Sequence, residues 1–336
     1  MKGARITAVG SYVPQRRLTN ADLEQMVDTN DEWIVQRTGI RERRISREDE
    51  YTSDLCAAAV RDLMNRYGKS VQDVDMILVA TSTPDMPFPS VAAIVQNRLG
   101  IPQTAGVLDL SAACAGFVYG LHMAHALIAS GMHHKVLVIG ADALSKITDY
   151  TDRSTCILFG DGAGAVLVES GGEQDNFRGF NLGSDGSGAQ HVYLSGLADQ
   201  VNGVQLTGTG KLVQNGREVF KWAVRTVPQG VQQVLEKAGA SLAEVDWFIP
   251  HSANLRMIEP VCERMNYPFE RALYSLEAFG NTSAASIPLA LDLGIRQGKV
   301  HSGQQVLLYG FGAGLTHAGM LVRLSLDPQT GEPAPL

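Results

Sequence analysis

Three residues set the chemistry that this chain of 336 residues can perform. Cys114 lies in Ser111-Ala112-Ala113-Cys114-Ala115-Gly116, His251 in Pro250-His251-Ser252-Ala253-Asn254, and Asn281 in Gly280-Asn281-Thr282-Ser283. One thiol nucleophile with two neutral hydrogen-bonding groups suits acyl transfer through a thioester, with stabilisation of a developing enolate or oxyanion. Each residue also has a plainer use. A lone Cys is usually a small buried side chain, a loop His often just hydrogen-bonds backbone, and an Asn after Gly is a turn or helix-capping residue.

Position favours the chemical use. Cys114 stands where a buried strand turns into a helix, and a helix N-terminus lowers a thiol pKa through its unpaired N–H groups and macrodipole. His251 follows the apolar run Asp246–Pro250 and so emerges at a strand's C-terminal edge, where α/β proteins place their sites. The other cysteines, Cys56, Cys156 and Cys262, fall inside helix-like or strand-like patterns and read as packing. No pair has C-x-x-C spacing. His122, His125, His133 and His134 suit an exposed helix and its end, with no carboxylate or Cys at ligand spacing, so no metal site is expected.

The elements that must position these residues are legible as short apolar runs bounded by glycine. Strands are expected at Asp75–Ala80, Gly106–Leu110, Lys135–Gly140 and Ala163–Glu169, then at Asp246–Pro250, Leu273–Leu276, Gln305–Tyr309 and Gly319–Leu324. Helices are expected at Ser53–Tyr67, Gly116–Ser130, Glu218–Ala238 and Ser286–Gln297. Continuous apolar strands alternating with helices imply an α/β architecture with strands buried on both faces.

The two halves resemble each other. Ser70–Asp75 precedes one buried strand and Ser241–Asp246 another; Cys114 follows Asp75 by thirty-nine residues and Asn281 follows Asp246 by thirty-five. A duplicated unit is expected, residues 1–172 carrying the Cys and residues 173–336 the His and Asn, joined near 171–180. Cys114 and Asn281 would then face each other across a pseudo-twofold axis.

Gly160-Asp161-Gly162-Ala163-Gly164 has the look of a dinucleotide fingerprint but runs into the strand-like Val166–Glu169, and a fingerprint needs a helix there. Gly310-Phe311-Gly312-Ala313-Gly314 reads as a tight turn whose backbone N–H can approach a reacting carbonyl. The composition is 45% hydrophobic and 19% charged with a net charge of −7, which argues against a general nucleic-acid binder. No signal peptide and no membrane span is visible. Four widely spaced cysteines suit a reducing cytoplasm.

With those residues on the page, the chain resembles the β-ketoacyl-acyl-carrier-protein synthase III family, the initiating condensing enzymes of type II fatty-acid synthesis, from roughly Arg5 to Leu324. The resemblance rests on Asp31-Glu32-Trp33-Ile34-Val35-Gln36-Arg37-Thr38-Gly39-Ile40-Arg41-Glu42-Arg43, Ala113-Cys114-Ala115-Gly116-Phe117, Thr151-Asp152-Arg153, Phe159–Gly164, Pro250-His251, Ala253-Asn254-Leu255-Arg256 and Gly280–Ser286. It implies a thiolase-like duplicated α/β fold of five layers, αβαβα, as a cytoplasmic homodimer without cofactor, acyl-CoA being a substrate. It implies that Cys114 takes an acyl group from acyl-CoA, and that His251 and Asn281 promote decarboxylation of malonyl-acyl carrier protein. The acyl oxyanion would be held by the backbone N–H groups of Cys114 and Ala313. The His–Asn pair points to the decarboxylating, initiating type, since related elongating synthases pair the Cys with two His and thiolases use a second Cys.

The same resemblance places Trp33 and Arg153 around the adenine of CoA, Arg37 near its phosphates, and Gly216, Phe220 and Asn254 along the pantetheine channel. Lys221 and Arg256 would meet the acidic acyl carrier protein, and Phe88 would cross the dimer interface to shape the acyl pocket. Three positions depart from the family pattern: Ser252 where Gln is usual, Ala313 where Gly is usual, and Glu263 where some relatives carry Lys. Ser and Ala at these places resemble synthases that use a branched primer (isobutyryl, isovaleryl or 2-methylbutyryl), which stands as the alternative to acetyl. Two rivals stand beside this expectation: a starter-unit or acyl-transfer enzyme of secondary metabolism, and a non-catalytic acyl-CoA-binding protein on the same fold.

Overall fold

The run Lys135–Ala143 is buried at all nine positions, as a strand covered on both faces must be. The computed structural model describes residues 3–171, 175–207 and 210–336. In it this strand is the centre of a five-stranded sheet whose order is Ala4–Tyr12, Asp161–Ser170, Lys135–Ala143, Met76–Ala80, Gly106–Leu110. The first two neighbouring pairs are antiparallel and the last two parallel. A second sheet repeats the pattern with Phe177–Ser184, Thr316–Arg323, Gln305–Gly312 and Trp247–Pro250, antiparallel, antiparallel, then parallel.

The strand expected at Leu273–Leu276 occupies the place of the missing fifth strand without becoming one. Ala272 forms a single parallel bridge with Phe248, and Leu273 donates its N–H to Phe248 O at 2.8 Å. The chain then turns into the short helix Leu276–Phe279, so no ladder follows. Ala4–Tyr12 and Phe177–Ser184 were not anticipated; glycine and charged residues break their apolar runs.

Helices fill three layers, and with the two sheets between them they make five. Thr52–Tyr67 and Val91–Arg98 cover the outer face of the first sheet. Gly116–Ala129 and Ser286–Arg296 each pack against both sheets from between them, and Gly216–Ala238 with Leu255–Met265 closes the outer side of the second. Gly116–Ala129 is therefore a central helix, not an exposed one. Its His125 pairs with Asp175 at 2.6 Å, and His122 lies against Phe180.

The internal repeat extends to single hydrogen bonds. Asp75 Oδ2 accepts the N–H of Lys135 at 3.0 Å, and Asp246 Oδ2 accepts the N–H of Gln305 at 2.7 Å; each carboxylate caps the start of the neighbouring strand. The repeat also corrects the expected pairing. Ala113 (φ 45°) and Ser283 (φ 49°) are both non-glycine residues at positive φ, each opening a short 3-10 turn that leads into a central helix. Backbone for backbone, Cys114 therefore matches Ala284, and Asn281 matches Ser111. The sequence offset of three arose from pairing residues by chemistry, whereas the turns superpose by conformation. The expected division between residues 172 and 173, within the junction near 171–180, lies outside the described residues.

A buried ion cluster ties a helix of the first half to one of the second. Arg66 lies 3.3 Å from Asp62 and also contacts Asp292, while Arg296 reaches Asp292 at 2.6 Å and Asp62 at 2.7 Å. Arg66 and Asp292 are fully buried. Removing one member leaves a buried charge uncompensated, which costs ~3–5 kcal/mol. Asp292→Ala should lower the free energy of unfolding by that amount in urea denaturation, whereas Asp73→Ala, at an exposed carboxylate paired with Lys135, should lower it by less than ~1 kcal/mol.

Candidate active site

The Cys114 turn has its shape because another strand crosses directly behind it. A Cβ on Gly312 would stand 2.9 Å from Cys114 Cβ and 3.0 Å from Sγ, and one on Gly310 would stand 2.7 Å from Ala115 Cα. Only glycine lets Gln305–Gly312 pass that close. The Gly310–Gly312 segment is thus the end of a strand, and the turn expected there falls at 313–315. Ala313 lines the cavity in that turn, and its carbonyl accepts the Thr316 hydroxyl at 2.8 Å.

Burial pushes the Cys114 thiol up to about 12; a hydrogen bond with Ser283 works against the rise and the nearby Asp142 carboxylate adds to it. The direction is opposite to the lowering expected from a helix N-terminus: the 3-10 turn Ala113–Ala115 separates Cys114 from the helix proper, and removal from bulk water disfavours the thiolate. The residue keeps partial exposure through the cavity.

Asn281 is held by a second close crossing. Its N–H donates to Leu158 O at 2.8 Å and its carbonyl accepts from Gly160 at 3.0 Å. A Cβ on Gly160 would lie 2.1 Å from Phe279 O, and Gly280 has φ 70°. The Gly160 motif therefore serves chain crossing and opens the strand Asp161–Ser170, in keeping with its rejection as a nucleotide site. Asn281 Oδ1 accepts the N–H of Ser283 at 2.9 Å, which fixes the amide and leaves Nδ2 as its donor.

His251 follows the strand Trp247–Pro250, and its N–H donates to Tyr309 O at 2.8 Å. Its ring meets Phe311 edge-on at 5.3 Å. Nδ1 lies 2.7 Å from Ser286 Oγ, and that oxygen also accepts the N–H of Ser252 at 3.3 Å. A Ser286 hydroxyl that gives its proton to Nδ1 leaves the imidazole proton on Nε2, the edge turned to the cavity. Burial lowers the His251 pKa to about 3, so the ring is neutral. Ser252, where Gln was expected, has its Oγ accepting the N–H of Ser275 at 3.0 Å. Ser286, Phe311 and Ser283 were not singled out from sequence; both serines lie inside the Gly280–Ser286 motif.

One cavity of about 390 Å³ is lined by Cys114, His251 and Asn281, with Ala313, Asn254 and Ser283. Asn254 caps the helix Leu255–Met265, accepting from Met257 N at 3.0 Å. Gly216 begins the helix Gly216–Ala238, and Phe220 stands half-exposed one turn on; their neighbours Gln214 and Val219 line the cavity, and they themselves do not. Trp33 carries two guanidinium groups, Arg153 at 5.1 Å and Arg37 at 5.4 Å from its ring centre. Arg153 also donates to Asp28 O at 3.0 Å. Lys221 is exposed but paired with Glu218 at 2.7 Å, and Arg256 is exposed on the first turn of its helix. Phe88 is not part of the cavity wall; it projects from the surface, 84% exposed. Among the described residues no cluster of three His, Cys, Asp or Glu could hold a metal ion, and no helix is long and apolar enough to cross a membrane.

Comparison with known proteins agrees with this geometry. Residues 108–186 match the family described as 3-Oxoacyl-[acyl-carrier-protein (ACP)] synthase III, and residues 235–324 match its C-terminal counterpart. The chain is 64% identical to β-ketoacyl-[acyl-carrier-protein] synthase III 2 of Halalkalibacterium halodurans, covering 97% of this chain and 98% of that protein. Among solved structures, β-ketoacyl-[acyl-carrier-protein] synthase III of Thermus thermophilus superposes with a TM-score of 0.92 at 48% identity, covering 96% of this chain and 99% of the other. The priming β-ketosynthase of the R1128 polyketide biosynthetic pathway gives 0.90 at 36% identity, covering 97% and 98%. The chain belongs to the 3-oxoacyl-[acyl-carrier-protein] synthase III family, with its thiolase-like fold.

Proposed function

We propose that this protein joins a short-chain acyl-CoA to malonyl-acyl carrier protein, releasing CoA and carbon dioxide and giving the 3-oxoacyl-acyl carrier protein that starts fatty-acid synthesis. The observation that carries this reading is the convergence of Cys114, a neutral His251 and Asn281 on one cavity. Cys114 attacks the acyl-CoA carbonyl, and the backbone N–H groups of Cys114 and Ala313 face the oxyanion. His251 Nε2–H and Asn281 Nδ2–H then donate to the malonyl thioester oxygen. Two neutral donors stabilise the enolate left as carbon dioxide departs, without protonating the carbon that must attack. That carbon attacks the acyl-Cys114 thioester, the carbon–sulfur bond breaks with its electron pair on sulfur, and the Cys114 thiolate takes up a proton from water to become the thiol again.

Trp33, Arg37 and Arg153 hold the nucleotide end of CoA in this reading, with Gly216, Phe220 and Asn254 along the pantetheine. Arg256 is the freer of the two cations offered to acyl carrier protein, since Lys221 is shared with Glu218. Phe88, exposed in a single subunit, completes the acyl pocket of a second copy in a homodimer. The halves divide at 172/173. The reaction needs no cofactor, and four free cysteines suit the cytoplasm. The likeness to a polyketide priming synthase favours, as a second reading, a starter-unit role in secondary metabolism.

Cys114→Ser should take up no label from radioactive acyl-CoA, and full acylation would refute the nucleophile. His251→Ala and Asn281→Ala should still acylate, as read by intact-protein mass, yet lose condensation by ~10²-fold or more. In a substrate panel the condensing rate with malonyl-acyl carrier protein should far exceed that with malonyl-CoA; the reverse would favour the starter-unit reading. Acetyl, isobutyryl and isovaleryl primers should differ in kcat/KM by ~10–200-fold per methylene if the pocket discriminates by shape.

The buried imidazole gives a signed pH dependence. Its pKa falls from 6.5 to about 3 on folding, so between these values the unfolded chain binds a proton that the folded chain does not. The stability this contributes is intact above pH 6.5 and is lost as pH falls through the window, by ~2 kcal/mol at pH 5. Urea midpoints at pH 7 and 5 should therefore separate more for the wild type than for His251→Gln.

A further inference from the structure

The side of the His251 ring turned away from the cavity rests on a cluster of three buried serines, Ser252, Ser275 and Ser286. Ser286 Oγ lies 2.7 Å from Nδ1 and accepts the Ser252 N–H at 3.3 Å. Ser252 Oγ accepts the Ser275 N–H at 3.0 Å. The Ser275 hydroxyl donates to Ser286 O at 3.2 Å and lies 3.4 Å from Ser252 Oγ. His251 lines the cavity and none of these three serines does, so they bear on substrate only through the ring.

The internal repeat shows what this contact adds. In the first half Ala80 ends the strand Met76–Ala80, where it pairs with Gly140, and Gly116 opens the helix Gly116–Ala129. A Cβ on Gly116 would meet Ala80 Cβ at 2.9 Å. In the second half His251 follows Pro250, the partner of Tyr309, and Ser286 opens the helix Ser286–Arg296. With Lys135 matched to Gln305 and Cys114 to Ala284, His251 takes the place of Ala80 and Ser286 that of Gly116. The same approach of strand end to helix start is bare packing in one half. In the other it carries two side chains joined by a hydrogen bond.

We propose that Ser286 is a positioning residue that fixes the His251 imidazole in its Nε2–H form; this rests on the reading of His251 as a donor to the malonyl thioester oxygen. Among the described residues the Ser286 hydroxyl has two partners, the Ser252 N–H, which can only donate, and Nδ1. Nδ1 is therefore the one acceptor within its reach. Were Nδ1 protonated, Ser286 Oγ would face two donors and its own buried proton would have no acceptor, at the cost of desolvating that group. A proton on Nε2 satisfies all three groups. The ring then shows the cavity an N–H, whereas a lone pair there would repel the enolate oxygen. Ser252 occupies one face of the hydroxyl oxygen and Ser275 ties the Ser286 carbonyl to the same loop, so the hydroxyl is aimed at the ring. Holding a catalytic imidazole in the right tautomer is worth orders of magnitude in rate.

Nitrogen NMR on protein carrying isotopically labelled histidine tests this directly, with the His251 signals identified by their loss in His251→Gln. The wild type should show hydrogen on Nε2 and none on Nδ1. Hydrogen on Nδ1 would overturn the proposal, and that measurement needs no variant to fold. In Ser286→Ala the proton should no longer sit on Nε2 alone. Its kcat for condensation with malonyl-acyl carrier protein should fall ~10-fold or more with KM little changed, because the misplaced donor acts on charge that develops in the transition state. Acylation of Cys114 by acetyl-CoA, read by intact-protein mass, does not pass through the ring and should persist. Wild-type condensation in Ser286→Ala would overturn the role, and so would a rise in KM alone. A lost rate with the tautomer unchanged, or with acylation lost in parallel, would overturn it too, since either marks a displaced site. Normal condensation by His251→Ala would refute the reading of His251 itself. Loss in His251→Ala beside full activity in Ser286→Ala would refute only the role of Ser286.

Discussion

Everything in the site depends on two tight turns pressed against each other between the sheets. Gly140, in the middle of the central strand, has Ala284 O where a Cβ would be, 2.3 Å away, and Gly116 faces Ala80 Cβ at 2.9 Å. These contacts admit no side chain, so the turn that carries Cys114 and the turn that follows Asn281 have one relative position. Positive φ at Ala113 and Ser283 is tolerated because the surrounding strands over-determine it. Backbone proximity, obtained by glycine, is what brings two distant segments to one cavity, and Asp142 straddles the same seam.

Electrostatically the resting site is close to uncharged where substrate binds. The thiol is kept protonated and the imidazole neutral by burial. A site of this kind binds a neutral thioester without reorganising and reserves its donors for negative charge that develops later. The buried carboxylate of Asp142 is set behind the Cys114 turn, and backbone and hydroxyl donors surround it.

Much of this was legible in the sequence, for physical reasons that differ by element. Lys135–Ala143 and Gln305–Gly312 declare themselves because a strand covered on both faces must be apolar throughout. Ala4–Tyr12 and Phe177–Ser184 do not, because Gly and Arg interrupt them and only pairing to a neighbour makes them strands. Cys114, His251 and Asn281 stand out by residue type and position, the duplicated halves lead Cys114 and Asn281 to be expected face to face, and the fold was needed to bring His251 to the same cavity. The duplicated halves were visible but misaligned by three residues, since Asn281 stands at the position of Ser111 and not at that of Cys114. Least legible were the roles of Gly310 and Gly312. A glycine read as turn-forming is, in the structure, an absence of volume that another segment fills.

The two guanidinium groups resting on Trp33 bear on how one channel could serve two donors of very different size. At 5.1 Å from the indole, Arg153 leaves no space for a purine between them, so a nucleotide that stacks there must exchange one planar partner for another instead of entering an empty slot. Such an exchange returns only the difference between two stacking energies, which is far smaller than either.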